Sequence, residues 1–297
     1  MNDLGNWLAQ RQDLSDSTRI QYSWYLRRFL DWLQSEGLTV DDLDAAGFVR
    51  WLDAHEWSRA SRRLAVNAMR SFVRSRFGPD HPALKVRLPR VLPAPQRTLT
   101  QDETAALLRA LEVEDPGDIA NAKRVRDLTL MSLLIDTGLR SGEVCRLRLR
   151  DVDLEKRTLT AQVKGGRWAQ GYFSVITRIR LRYWIALRRD LARPSVEALF
   201  VGLGGLTPGC GMTVCGLRSV FRELARELGL NPFSPHALRR TFATLLISNG
   251  ASSRVTQLAG RWSNIGMVET YTRSLAIETV DPFLPAAVLW TKQRETA

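Results

Sequence analysis

The stretch Ser234-Pro235-His236-Ala237-Leu238-Arg239-Arg240-Thr241-Phe242-Ala243-Thr244 decides how the second half of this 297-residue chain is read. A serine side chain accepts from the first N–H groups of a helix, and proline suits the first helical position, where its missing N–H has no partner to lose. A helix therefore starts at Pro235, with His236 in its first turn and Arg239, three residues on, sharing that face. Leu238, Phe242, Leu245 and Leu246 form the opposite, apolar stripe. A phosphate beside His236 and Arg239 would meet a guanidinium, an imidazole and backbone N–H groups at the positive end of the helix. A histidine near a cap also serves structure alone, so the local pattern leaves both roles open.

Working outward, residues 121–136 read as an amphipathic helix that stops at Thr137-Gly138, with the glycine suited to a left-handed cap, and Arg140 follows that stop. Segments 157–163 and 171–176 alternate and are rich in β-formers around Lys164-Gly165-Gly166-Arg167, which predicts a hairpin with Lys164 at its tip. A turn lysine is usually only solvated, but this is the sole lysine between 157 and 291. Helices at 179–191 and 214–228, a strand at 198–201 and a Gly-rich loop at 202–211 complete the region. Thr100-Gln101-Asp102-Glu103 is a capping-box signature that opens a helix. Ahead of it, five prolines (79, 82, 89, 93, 95) mark an extended connection, with a boundary near 93–96. The first region reads as helices: one capped by Asp16 or Ser17 and ending at Gly37, one over 43–55 and one over 58–77. The fold class is mainly α with a small antiparallel β-sheet (α+β). A helical bundle domain is expected over 1–92, a linker over 93–99 and a larger mixed domain over 100–297.

Charge divides the chain more sharply than fold does. Lys and Arg total 43 against 31 Asp and Glu, a net +12, and only five of the 43 are lysines. Arginine forks grip phosphate bidentately, so the bias fits a polyanionic partner, although a GC-rich genome would also raise arginine. Residues 1–56 carry five basic and ten acidic side chains, whereas 57–90 carry nine basic and one acidic. On the 58–77 helix, Arg59, Arg63, Arg70 and Arg74 stack on one face opposite Ala65, Met69, Phe72, Val73 and Phe77. With Arg62 they are candidate DNA contacts, the alternative being a solvated charged face. Cys145, Cys210 and Cys215 are odd in number and scattered, which points to a reducing, cytoplasmic compartment and away from structural zinc. The polar, acidic N-terminus is unlike a signal peptide, and no apolar run approaches ~18 residues, so no membrane partner is expected.

Four runs carry a resemblance: Thr137-Gly-Leu-Arg-Ser-Gly-Glu-Val-Cys-Arg-Leu, Val163-Lys-Gly-Gly-Arg, His236-Ala-Leu-Arg-Arg-Thr-Phe-Ala-Thr and Leu258-Ala-Gly-Arg-Trp-Ser-Asn-Ile-Gly-Met-Val-Glu-Thr-Tyr-Thr-Arg. In this order they resemble the motif blocks of the tyrosine recombinase (integrase) family, over about residues 98–297, and the helical region before them resembles that family's core-binding domain. The resemblance implies a DNA strand-breaking and rejoining enzyme. Arg140 and Arg239 would grip the non-bridging oxygens of the scissile phosphate. Tyr271 would attack to form a 3′-phosphotyrosyl link. Lys164 would protonate the leaving 5′ oxygen, and His236 would exchange a proton with the phenol or hydrogen-bond the phosphate. Glu143 would orient an arginine or the histidine. No metal or cofactor is implied.

Two positions depart from the common pattern. Many members carry a histidine preceded by Leu-Gly where Trp262 stands, and an indole donates but never transfers a proton. Some members carry tryptophan there, so its expected role is hydrogen bonding and packing. Arg240 stands where histidine is frequent and is expected to be another cation facing the DNA backbone. The resemblance further implies double-stranded DNA with inverted-repeat sites as partner, a tetramer on DNA, nucleoid association, no additional DNA-binding module ahead of the helical domain, and a C-terminal helix at about 280–291 that docks on a neighbouring subunit. A type IB topoisomerase shares much of the residue set, and a DNA-binding protein without catalysis is the reading from another class. Metal-dependent nucleases fit less well, since no carboxylate cluster stands at interpretable spacing.

Overall fold

The computed structural model describes residues 2–87, 97–163 and 166–272, with backbone alone for 2, 3 and 270–272. The chain forms two compact units, 1–94 and 95–297.

The first unit is helical: α1 (Asn2–Gln10), α2 (Asp16–Ser35), α3 (Ala45–Asp53) and α4 (Arg59–Phe77). Short polar residues set the starts of α2, α3 and α4. Ser15, Asp44 and Ser58 accept from the N–H groups of Thr18, Gly47 and Ser61, so the cap of α2 is Ser15, and the expected cap Asp16 is already the first residue of the helix. The helices close over Leu26, Phe29, Trp51, Phe48, Met69 and Phe72, with Trp7 of the unanticipated α1 edge-on to Phe72 at 5.7 Å.

The second unit contains α5 (Gln101–Ala110), α6 (Ala122–Thr137), α7 (Ser141–Arg146), β1 (Val152–Asp153), β2 (Thr158–Gln162), β3 (Trp168–Tyr172), α8 (Val175–Leu191), α9 (Val214–Glu227), α10 (Pro235–Ser248), α11 (Ser253–Ala259) and α12 (Gly266–Thr272). The strands form one antiparallel sheet in the order β1-β2-β3, with Thr158 opposite Tyr172 and Gln162 opposite Trp168. A mainly helical chain with a small antiparallel sheet is therefore the fold. Thr100 and Glu103 form the capping box of α5. Helix α6 is buried on nearly every side and lies at the centre, against α8 and α10.

Two expected strands are corrected. The segment 171–176 leaves the sheet after Tyr172, because Ser174 caps α8 by accepting from Thr177 N and is itself pinned by Asp136, whose Oδ2 accepts from Ser174 N at 2.8 Å and Oγ at 2.6 Å. Segment 198–201 is no strand but two isolated bridges, Arg148 with Ala198 and Val201 with Gly211. It is held mainly by single bonds, such as Trp184 Nε1 donating to Leu199 O at 2.9 Å.

Candidate active site

The site is assembled at one end of α10, where the turn after α6 and the loop after α11 meet it. Ser234 Oγ accepts from Ala237 N at 3.2 Å, and Pro235 occupies the first turn, so the helix starts where the sequence places it. Arg239, one turn in, is 1% exposed. Its Nη2 donates to Gly260 O at 2.7 Å, and its Nη1 donates to Gly138 O. One guanidinium thus joins the end of α6 to the end of α11. Its carbon also lies 4.5 Å from the Trp262 ring centroid, a cation–π contact.

Two glycines make that approach possible. Gly138 takes φ +58° at the C-cap of α6, and a Cβ there would lie 2.4 Å from Phe242 Cδ1. At Gly260 a Cβ would fall 1.8 Å from Trp262 Cζ3. Trp262 is 5% exposed, stacks on Phe242 at 6.1 Å and shares a small apolar cluster with Ala243 and Val268 of α12. Its place in the structure is a packed plate under the Arg239 guanidinium.

Arg140 caps α7. Its Nη1 donates to Glu143 Oε1 at 2.7 Å, while Glu143 Oε2 accepts from Arg140 N at 2.9 Å, so one buried carboxylate holds both the backbone and the guanidinium. The Arg140 side chain keeps 37% of its surface exposed, against 3% for Glu143. His236 is exposed, yet its imidazole is held below its ordinary pKa by partial desolvation first, then by the cations of Arg240, Arg239 and Arg140. Arg239 and Arg140 are tied through the backbone, because the Gly138 carbonyl that Arg239 holds stands two residues before Arg140, and His236 shares the first turns of α10 with Arg239.

The remaining candidates divide. Arg240 is buried, not outward: it is 7% exposed and its Nε donates to Arg97 O at 3.0 Å, so the chain before α5 covers it. Tyr271 lies on α12, which packs on α10 and α11 through Val268, and its side chain is outside the described residues. Lys164 is likewise outside them. Its neighbour Val163 lines a cavity of about 300 Å³ with Arg261 and Trp262, which puts the root of the hairpin beside the site. In the first unit, Arg59, Arg63 and Arg74 are exposed on one face of α4, whereas Arg62 pairs with Asp53 at 2.7 Å and Arg70 donates to Val86 O. Among the described residues no group of His, Cys, Asp and Glu is placed to hold a metal ion.

Sequence reasoning missed Arg261. Its side chain is 4% exposed, and its backbone takes φ +58°. Nη2 donates to Thr137 O at 2.8 Å and lies 4.0 Å from Glu143 Oε2. The available signal was its place: it stands where the resemblance has glycine, directly before position 262.

The comparisons agree with this geometry. Residues 97–277 match the model of the phage integrase family. The chain is similar to tyrosine recombinase XerC of Mycobacterium leprae, 27% identical over 283 residues covering 92% of this chain and 93% of the relative. It is also similar to tyrosine recombinase XerA of Pyrococcus furiosus, 28% identical over 88% of this chain and 85% of that one. In fold it resembles the Tn1549 transposon integrase solved with circular intermediate DNA, at TM-score 0.73 and 18% identity, covering 94% of this chain and 96% of the other. XerH recombinase bound to palindromic difH matches at TM-score 0.69 and 18% identity, covering 86% and 76%. With a family model spanning more than half its length, the chain belongs to the phage integrase family and is a tyrosine recombinase.

Proposed function

We propose that this protein is a site-specific DNA recombinase that cuts and rejoins strands through a 3′-phosphotyrosyl intermediate, with neither metal nor ATP. The observation that carries the reading is that Arg239 on α10 holds the carbonyl of Gly138, two residues before Arg140, while the Tyr271-bearing helix packs on the same α10 that starts with His236.

In the proposed reaction, the Tyr271 oxygen forms a bond to phosphorus as the bond to the 5′ oxygen breaks. The phenolic proton passes to His236, whose depressed basicity keeps it neutral and able to accept at neutral pH. Lys164 gives a proton to the leaving oxygen. Arg140 and Arg239 meet the charge that grows on the non-bridging oxygens. The phosphodiester's energy is retained in the phosphotyrosyl bond, so a 5′ hydroxyl from a second DNA can reverse the step. Reciprocal exchange then proceeds through a Holliday junction within a tetramer on paired inverted-repeat sites. Residues 280–291, outside the described residues, are proposed to dock on the next subunit and close the ring. In the first unit, the exposed arginines of α4 are proposed to follow the phosphate backbone.

The test is a suicide substrate built from the inverted repeats flanking the gene and nicked near the presumed cleavage point. The wild-type protein should form a covalent adduct that denaturation does not release, and Tyr271→Phe should form none. Failure of the wild type on every flanking repeat, with binding retained, would mean a DNA-binding protein instead. Removing residues 280–297 should abolish pairing of sites while leaving single-site binding, and unchanged recombination would refute docking in trans.

A further inference from the structure

Arg261 lies where a charged side chain is least comfortable. Its backbone is in the left-handed region that glycine enters freely and arginine does not. Its side chain is nine-tenths or more buried, and its Nε has no hydrogen-bond partner among the described residues. Burial lowers its pKa, and nearby Glu143 opposes that fall. Each feature weakens the fold, and strain of this kind concentrates where geometry serves a site.

Its contacts all lead to one place. Nη2 donates to Thr137 O at 2.8 Å, three residues before Arg140, and Nη1 donates to Ala259 O at 3.2 Å. Nη2 also stands 4.0 Å from Glu143 Oε2, the oxygen that accepts from Arg140 N, while Oε1 of the same carboxylate holds the Arg140 guanidinium. Both charges of this pair are buried, so their attraction is weakly screened. On the remaining side the guanidinium abuts β3. A Cβ at Gly171 would come 2.8 Å from Nη1, so the absence of a side chain at Gly171 gives Arg261 its room.

Resting on the recombinase reading, we propose that Arg261 is a positioning residue for the phosphate-gripping Arg140. It holds Glu143 from behind, against the end of α6 and the hairpin strand β3, and so sets where Glu143 presents the Arg140 guanidinium. A shift of the hairpin would reach Arg140 through the same contact, which ties the placement of Lys164's hairpin to that of the first arginine.

The test uses the full chain and inorganic phosphate as a mimic of the scissile group, so it needs no knowledge of the DNA site. Phosphate affinity and the side-chain ¹⁵N signals of Arg140 are read by NMR for wild type, Arg261→Gly, Arg261→Lys, Glu143→Gln and the Arg261→Gly/Glu143→Gln pair. Arg261→Gly removes the charge while relieving the backbone, so it should fold at least as well as wild type. It should nevertheless bind phosphate about tenfold more weakly and lose the slow-exchanging Arg140 signal, with Lys restoring part of both. The double variant should be no weaker than Glu143→Gln alone, since the two residues act in series. Gly171→Ala, which leaves every charge in place, should weaken phosphate binding in the same direction. Wild-type phosphate affinity and Arg140 signals in Arg261→Gly, or losses that add in the double variant, would overturn the proposal. Absence of a DNA adduct with the wild type would count against the recombinase reading alone, because the phosphate and NMR measurements stand apart from it.

Discussion

A buried guanidinium over an indole does two jobs at the residue scale. Arg239 links Gly138 O to Gly260 O, and Trp262 lies beneath it as an apolar floor. Because the ring is packed and the cation above it is desolvated, the contact sits at the stronger end of cation–π interactions, about 2 kcal/mol. Trp262→Phe keeps a ring under the cation and should hold adduct formation to within roughly tenfold of wild type, the equivalent of about 1.4 kcal/mol. Trp262→Ala removes the floor and should cost about 3–5 kcal/mol in urea unfolding, with a larger loss of adduct. Equal behaviour of the two variants would show that the indole N–H, not the plate, is what counts. His236 carries a second expectation. Its folded pKa lies below the ordinary 6.5, so the unfolded chain binds the extra proton and the fold loses stability as pH drops below about 6.5, with no contribution above it. An NMR titration of the free protein should place the His236 midpoint below 6.5, and Arg240→Ala should move it upward. That His236 and Arg239 share the start of one helix was legible because Ser234, Pro235 and helical spacing place them there, whereas Arg140 was singled out by the resemblance. The burial of Arg240 was not legible, because chain geometry decides whether a cation faces solvent or, as here, a carbonyl of residue 97.

Elements carry these residues into place, and their ends matter more than their middles. The stop of α6 shows this. Gly138 must adopt φ +58°, its carbonyl must reach Arg239, and Phe242 fills the space a Cβ would need. Gly138→Ala should therefore destabilise the second unit by roughly 2–4 kcal/mol, combining left-handed strain with overpacking, and should lower adduct formation further by moving the Arg239 acceptor. At the other edge, Val268 is fully buried and is the contact by which α12 joins Phe242 and Trp262. Val268→Ala should lose about 1–2 kcal/mol and loosen the helix that bears Tyr271, slowing adduct formation while DNA affinity holds. A fall in DNA affinity of the same size would show that α12 serves binding as well. Helices were the most readable elements, since Ser58, Thr100, Ser234 and Gly138 announce their ends in residue chemistry. The strands were less so. The alternation in 171–176 continues past the point where Ser174 turns the chain into α8, and the partner that enforces the turn, Asp136, is 38 residues away.

Across the whole molecule, a net +12 decides how the protein meets a polyanion, and the distribution of that charge decides where. On α4, Arg59, Arg63 and Arg74 are exposed, while Arg62 is committed to Asp53 and Arg70 to the carbonyl of Val86. The sequence ranked all five alike, because charge and helical spacing say nothing of which side chains the neighbouring segments claim. The two groups should behave differently on DNA. Each cation that neutralises a phosphate releases condensed counterions and adds about 0.9 to the slope of log affinity against log salt. Replacing Arg59, Arg63 and Arg74 together by alanine should therefore lower that slope by about 2–3, weakening binding at low salt while leaving thermal unfolding nearly unchanged. Replacing Arg62 and Arg70 should lower the unfolding temperature of the first unit and leave the slope near that of wild type. Fluorescence anisotropy on a short duplex between 50 and 300 mM salt, a range over which such slopes are resolved, reads both outcomes. An unchanged slope in the triple variant would mean that the arginine face of α4 is solvated charge and that the phosphate contacts lie elsewhere in the chain.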